Sequence, residues 1–163
     1  MFASTGVSDG LVPGTIYRFV LVATNAFGDS DQSLETRVAL GNLPTKPNPP
    51  FKIETLSTNS TIAIGWDRVA SDDGIPVLGY ILEMDDGFNG DFKTIYDGNK
   101  DPITNNFVTS QLTIGLNYRF RVAAVNYNGD SAYSNIVPIF ACLVPSKIPQ
   151  PKRINQSTTS ITI

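Results

Sequence analysis

The chain has 163 residues, of which 41 % are apolar and 17 % charged, and it carries a formal net charge of −3. That is apolar enough for a buried core, sparse in charge for a helical protein, and without the basic stripe that nucleic acid requires. The single cysteine, Cys142, cannot close a disulfide within the chain, so the fold must be held by packing alone.

Charge is unevenly placed. Nine acids and three bases lie between Asp67 and Asp101, and six acids and nine bases elsewhere. No stretch approaches the roughly 20 apolar residues that span a bilayer, and no signal-peptide pattern follows Met1.

In chain order, the alternation of Tyr17, Phe19, Leu21 and Ala23 with Arg18, Val20, Val22 and Thr24 predicts a strand with one strongly apolar face. Asn25 to Ser30 reads as a turn, and Ser33 to Leu40 as the return strand. The proline-rich stretch Gly41 to Pro50 predicts a semi-rigid linker. Lys52 to Leu56 is expected as a short edge strand. In Thr61 to Val69, Ile62, Ile64 and Trp66 share one face. Ser71 to Pro76 is a turn cluster, and Tyr80, Leu82 and Met84 line a third strand. Phe92 to Tyr96, Asn106 to Leu112, Tyr118 to Asn126 and Ser134 to Val137 or beyond complete the set. Turn signals every 8–12 residues or so predict an all-β sandwich, with no long helix.

One block occurs twice. Leu11 to Ser30 and Leu112 to Ser131 share Gly, Tyr-Arg-Phe, Asn and Gly-Asp-Ser at a constant offset of 101 residues, as between Tyr17 and Tyr118 or Gly28 and Gly129. A period of that size implies an array of whole domains. A second proline-rich stretch, Val144 to Pro151, matches the first in kind, and Ser157 to Ile163 echoes Ser57 to Ile64. The expected division is therefore 1–43 as the end of one unit, 44–143 as a complete unit, and 144–163 as a linker and the first strands of a third.

These residues together resemble the fibronectin type III family. Trp66 stands where the family has its second-strand tryptophan. Asp72-Asp73-Gly74-Ile75-Pro76 leads to the third-strand Tyr80, and Leu112, Gly115, Tyr118, Val122, Ala124, Asn126 and Gly129 match the sixth-strand block. The resemblance implies an immunoglobulin-like, seven-stranded antiparallel sandwich without the immunoglobulin cysteine pair. It implies a core built on Ile64, Trp66, Tyr80, Leu112, Tyr118, Phe120 and Val122. Trp66 and Tyr118 are expected to meet across the two layers, with Tyr118 forming a tyrosine corner that Gly115 permits.

Catalysis finds little support. There is no histidine, no phosphate loop and no nucleophile elbow. Glu83, Asp85, Asp86 and Asp91 are expected on an exposed hairpin. Asp72, Asp73, Asp85, Asp86 and Asp91 are calcium-type ligands, but turn formation explains them more simply, so no metal and no cofactor is expected. Asn128-Gly129-Asp130-Ser131 lies where some family members carry an Arg-Gly-Asp motif, yet lacks the arginine. Asn59 and Asn155 head glycosylation sequons for a secreted chain. Arg119 and Arg121 are expected on a solvated sheet face. The expected role is a non-catalytic spacer and protein-binding scaffold from a tandem array. Receptor or adhesion ectodomain repeats, or an accessory region of a larger enzyme, are the alternatives. Expected partners are other proteins or neighbouring domains. The sequons lean toward an extracellular setting, whereas the free cysteine leans away. The uncovered apolar face of Tyr17 to Ala23 is expected to be mobile, aggregation-prone, or paired with Ile161-Thr162-Ile163.

Overall fold

The structure, a computed structural model, describes residues 10–71, 73–142, 148–152, 154–156 and 161–162. Two facing sheets form the central block. One holds β5 (Phe51–Lys52), β6 (Ala63–Gly65) and β9 (Asn106–Val108) in the order β5-β6-β9. The other holds β7 (Gly79–Met84), β8 (Lys93–Asp97) and β10 (Asn117–Asn126), with β11 (Gly129–Asp130) and β12 (Val137–Phe140) both on the free side of β10. All pairings are antiparallel. The all-β immunoglobulin-like sandwich is the architecture the sequence implies, with its last strand in two pieces.

The longest strand, β10, shows why. Tyr118, Phe120, Val122 and Ala124 point inward and are buried, as alternation dictates. They pack with Ile62, Ile64, Trp66, Tyr80 and Leu82 in one contiguous core; Leu112 lies half-buried against it. Trp66, Tyr80, Phe120, Ile64 and Val122 are almost wholly removed from solvent.

Trp66 and Tyr118 come from opposite layers but are not ring neighbours. Trp66 packs on Tyr80 and Tyr96, with centroids 5.9 and 5.7 Å away. The register explains the difference. Tyr80 pairs with Ala124, six residues along β10 from Tyr118, which is about 20 Å of strand at the usual rise.

Several strands are shorter than alternation predicts, because side chains replace the ladder. In β10, Ala124 N–H donates to Ser131 Oγ (3.0 Å) and Val122 N–H to Ser134 Oγ (3.1 Å). Ile62 N–H does the same to Thr109 Oγ1 (2.9 Å), and so β9 ends at Val108. Lys52 to Leu56 is only briefly a strand: after Lys52 the chain enters a 3-10 turn over Glu54–Leu56, and the Ser57 hydroxyl accepts from Ala63 N–H. The face opposite Trp66 is covered too. A Cβ on Gly65 would lie 2.8 Å from the Phe51 ring, so only glycine leaves room for the ring in its place.

Residues 10–41 repeat the β10–β12 arrangement. Here β1 (Ile16–Phe19) pairs with β4 (Thr36–Ala39), and β2 (Thr24–Asn25) with β3 (Gly28–Asp29). Leu21 and Ala23 N–H donate to Ser33 and Ser30 Oγ, as their counterparts 101 residues on do. Gly14 and Gly115 have φ of 80° and 84°, and Gly28 and Gly129 both 132°. Among the described residues no second sheet covers this hairpin, and Phe19, Leu21, Phe27 and Leu34 are exposed.

The expected pairing of this segment with the C-terminal residues is corrected. Ile161–Thr162 (β14) pairs with Asn155–Gln156 (β13), a local hairpin that closes far less chain than a contact with Tyr17 would. Ile163 lies outside the described residues.

Candidate functional site

The outer face of the larger sheet carries the most organised polar cluster. Arg119 and Arg121 alternate outward from β10, and the register sets Arg121 opposite Glu83. Arg121 donates from Nε to Glu83 Oε2 at 2.7 Å, and Tyr133 O–H donates to Glu83 Oε1 at 2.8 Å. The Arg121 guanidinium is sandwiched between the Phe92 and Tyr133 rings, 4.2 and 4.1 Å from their centroids. Arg119 lies 5.1 Å from the centroid of the same Phe92 ring. Each ring thus shields a cation whose charge is already matched by a carboxylate.

Asp85 directly follows β7 and is buried, which corrects the expectation of an exposed hairpin carboxylate. Its Oδ2 accepts from Arg119 Nε at 2.6 Å, and its Oδ1 from the backbone N–H groups of Arg119 (2.9 Å) and Gly87 (3.1 Å). Arg119 Nη2 also donates to the Gly90 carbonyl. A carboxylate this well bonded can be buried without an uncompensated charge. The face is therefore not a loosely solvated pair of arginines, as expected from sequence, but a stack in the order Tyr133, Arg121, Phe92, Arg119. Burial and the bond to Glu83 push the Tyr133 hydroxyl up to about 12.

The other candidate residues are dispersed. Asp86 accepts from Phe88 and Gly90 N–H, which holds its carboxyl below the usual range and closes the hairpin turn. Asp72 lies outside the described residues. Among the described residues, no three His, Cys, Asp or Glu side chains come together as a metal site. Asn59 is exposed, in a turn held by the Thr58 and Thr61 hydroxyls. Asn155 lies in β13, and the sequon's Ser157 is outside the described residues. Cys142 is exposed. Among the described residues no helix is long and apolar enough to cross a membrane.

The loops at one end of the sandwich also engage the preceding hairpin. Asn128, in the β10–β11 turn, bonds the backbone of Ala39 and Gly41, and Asp73 accepts from the Asn42 side chain. Alternation could not reveal these residues. Their only sequence signal is that Asn128 breaks the repeat, where Phe27 stands one period earlier.

Comparison with known proteins agrees with this architecture. The chain is 32 % identical over 148 residues to the mouse fibronectin type-III domain-containing protein 3A, covering 85 % of this chain and 12 % of that protein. It is 32 % identical to human myomesin-2 (83 % of this chain, 9 % of that protein) and 31 % identical to mouse protein sidekick-2 (99 % and 7 %). It thus spans only a small part of each relative's length. Among solved structures, a human fourth FNIII domain superposes with a TM-score of 0.53 at 26 % identity, over 67 % of this chain and 88 % of that one. Titin domains A168-A170 superpose with a TM-score of 0.52 at 23 % identity, over 77 % and 40 %. The profile of the fibronectin type III domain matches residues 45–140. With Trp66 and Tyr118 on facing layers and no cysteine pair between them, the chain belongs to the fibronectin type III domain family.

Proposed function

We propose that the chain is a non-catalytic structural and protein-binding module of a tandem array, a spacer with one complete domain at 44–143 between parts of two others. The observation that carries this reading is the repeated hairpin: the same tyrosine, glycine and serine bonds recur 101 residues apart. Repetition of a whole domain supplies length and stiffness rather than a new active site. The arginine–aromatic face is charge-matched internally, which suits contact with another protein better than chemistry.

Single-molecule pulling on the 163-residue chain tests this. The expected result is one force-resistant unfolding event that releases about 350 Å of contour length, the extended length of residues 44–143. A chain that extends without such an event would remove the spacer reading.

A further inference from the structure

The contact between residues 39–42 and the sandwich depends on Asn128 and Gly41, which the neighbouring repeat positions lack. Asn128 uses both ends of its amide on the preceding hairpin: Oδ1 accepts from Ala39 N–H at 3.0 Å, and Nδ2 donates to the Gly41 carbonyl at 2.9 Å. Asn126, itself buried, donates to the Asn42 carbonyl at 2.9 Å, and its Oδ1 accepts from Asn128 N–H at 2.8 Å. The two side chains thus fix each other while holding the linker backbone. From the facing loop, the Asp73 carboxylate accepts from Asn42 Nδ2 at 2.6 Å.

The surfaces also fit closely. A Cβ on Gly41 would come within 2.6 Å of Ile75 Cδ1, and one on Gly14 within 2.5 Å of the Asp73 carbonyl oxygen. Ala39 and Ile75 are 3 % and 1 % exposed although neither belongs to the sandwich core, so each is buried outside the interior that the two sheets share. The linker follows suit. Pro44, Pro47 and Pro50 are buried at every third position, the repeat of a polyproline II helix lying with one face on the domain.

One repeat away, Asn126 is kept as Asn25, whose Oδ1 likewise accepts from the backbone N–H two residues on, but Asn128 and Gly41 change. Phe27 replaces Asn128, is fully exposed, and has no amide. Cys142 replaces Gly41, and at the Gly41 position a Cβ would push Ile75 Cδ1 out of its place. We propose that the Asp73–Ile75 and Asn126–Asn128 loops form a docking surface specific for the chain's own residues 39–42, which locks two successive units at one angle, and that the sequence encodes this lock at this junction and not in the repeat as such. The proposal rests on the tandem-array reading and adds a rigid joint to it.

Residual dipolar couplings measured on the 163-residue chain test the joint. One alignment tensor should fit the amides of β1 and β4 together with those of β7 and β10. Asn128→Ala and Gly41→Val should each require two tensors, whereas Phe27→Ala should still fit one. Trp66, the only tryptophan, reports in each case whether the sandwich remains folded. Two tensors for the unmodified chain, random-coil shifts across β1 and β4, or a single tensor in both folded joint variants would overturn the proposal. Independent tumbling beside a native Trp66 signal would sink the joint yet leave a flexible spacer, so the two readings fail separately.

Discussion

The Tyr17 and Tyr118 hydroxyls, 101 residues apart, accept the same backbone bond, from Val12 N–H at 2.6 Å and from Thr113 N–H at 3.1 Å. Their surroundings differ. Tyr118 is buried at the edge of a full core, whereas Tyr17 belongs to a hairpin that no second sheet covers among the described residues. Tyr118→Phe should therefore destabilise the sandwich by about 1 kcal/mol, the usual net worth of one hydrogen bond. Tyr17→Phe should leave the same transition unmoved. Urea unfolding followed by Trp66 fluorescence distinguishes the two.

The hydroxyls of Ser131 and Ser134 stand in for backbone carbonyls along β10. Removing either strands a buried N–H, of Ala124 or Val122. Ser131→Ala and Ser134→Ala should each cost about 1–3 kcal/mol, the desolvation penalty of an unpaired donor. Ser30→Ala, at the exposed counterpart, should cost the Trp66-monitored transition nothing. A Ser131→Ala variant as stable as the parent would show that water or a strand shift repairs the gap.

Asp85 is the only carboxylate with a fully buried side chain among the described ion pairs. Arg119→Ala would leave it without its cation and should cost about 3–5 kcal/mol. Neutralising it as well, in Arg119→Ala with Asp85→Asn, should recover part of that loss. Equal stability of the single and double variants in a double-mutant cycle would mean that Arg119 contributes packing rather than charge.

Tyr133 links this face to pH. An ordinary tyrosine loses its proton near pH 10.0, but burial and Glu83 hold the proton on Tyr133 to about 12. Between those values the folded state binds more protons than the unfolded state, so stability falls as pH rises. The contribution is complete below about pH 10 and gone above about 12. Tyr133→Phe should flatten the decline across that window in urea unfolding at increasing pH. Tyr96, raised as well by its own burial, should keep part of the slope in the variant. Identical pH profiles would contradict the assignment.

Alternation and turn residues were enough to place the sandwich, because a half-buried strand must alternate wherever its neighbours lie. Ile64, Trp66, Tyr80, Phe120 and Val122 follow that pattern, and all are buried. The 101-residue offset is equally legible, since the hairpin of residues 10–41 repeats the letters of β10–β12 along with their bonds. Serine and threonine, by contrast, read as turn residues whether or not their hydroxyls complete a ladder, so β9 ends at Val108 rather than Leu112 and β12 begins at Val137 rather than Ser134, while β10 ends at Asn126 as alternation predicts.

The sequence by itself determined the fold, the repeat and the residues that face inward. Only the tertiary structure decided that Arg119 and Arg121 are stacked and paired, that Trp66 rests on Tyr80 and Tyr96, and that Asn128 grips a backbone 89 residues away. The reason is that a side chain's direction follows from its own strand, whereas its neighbours depend on register and loop approach between distant segments, which no local pattern records.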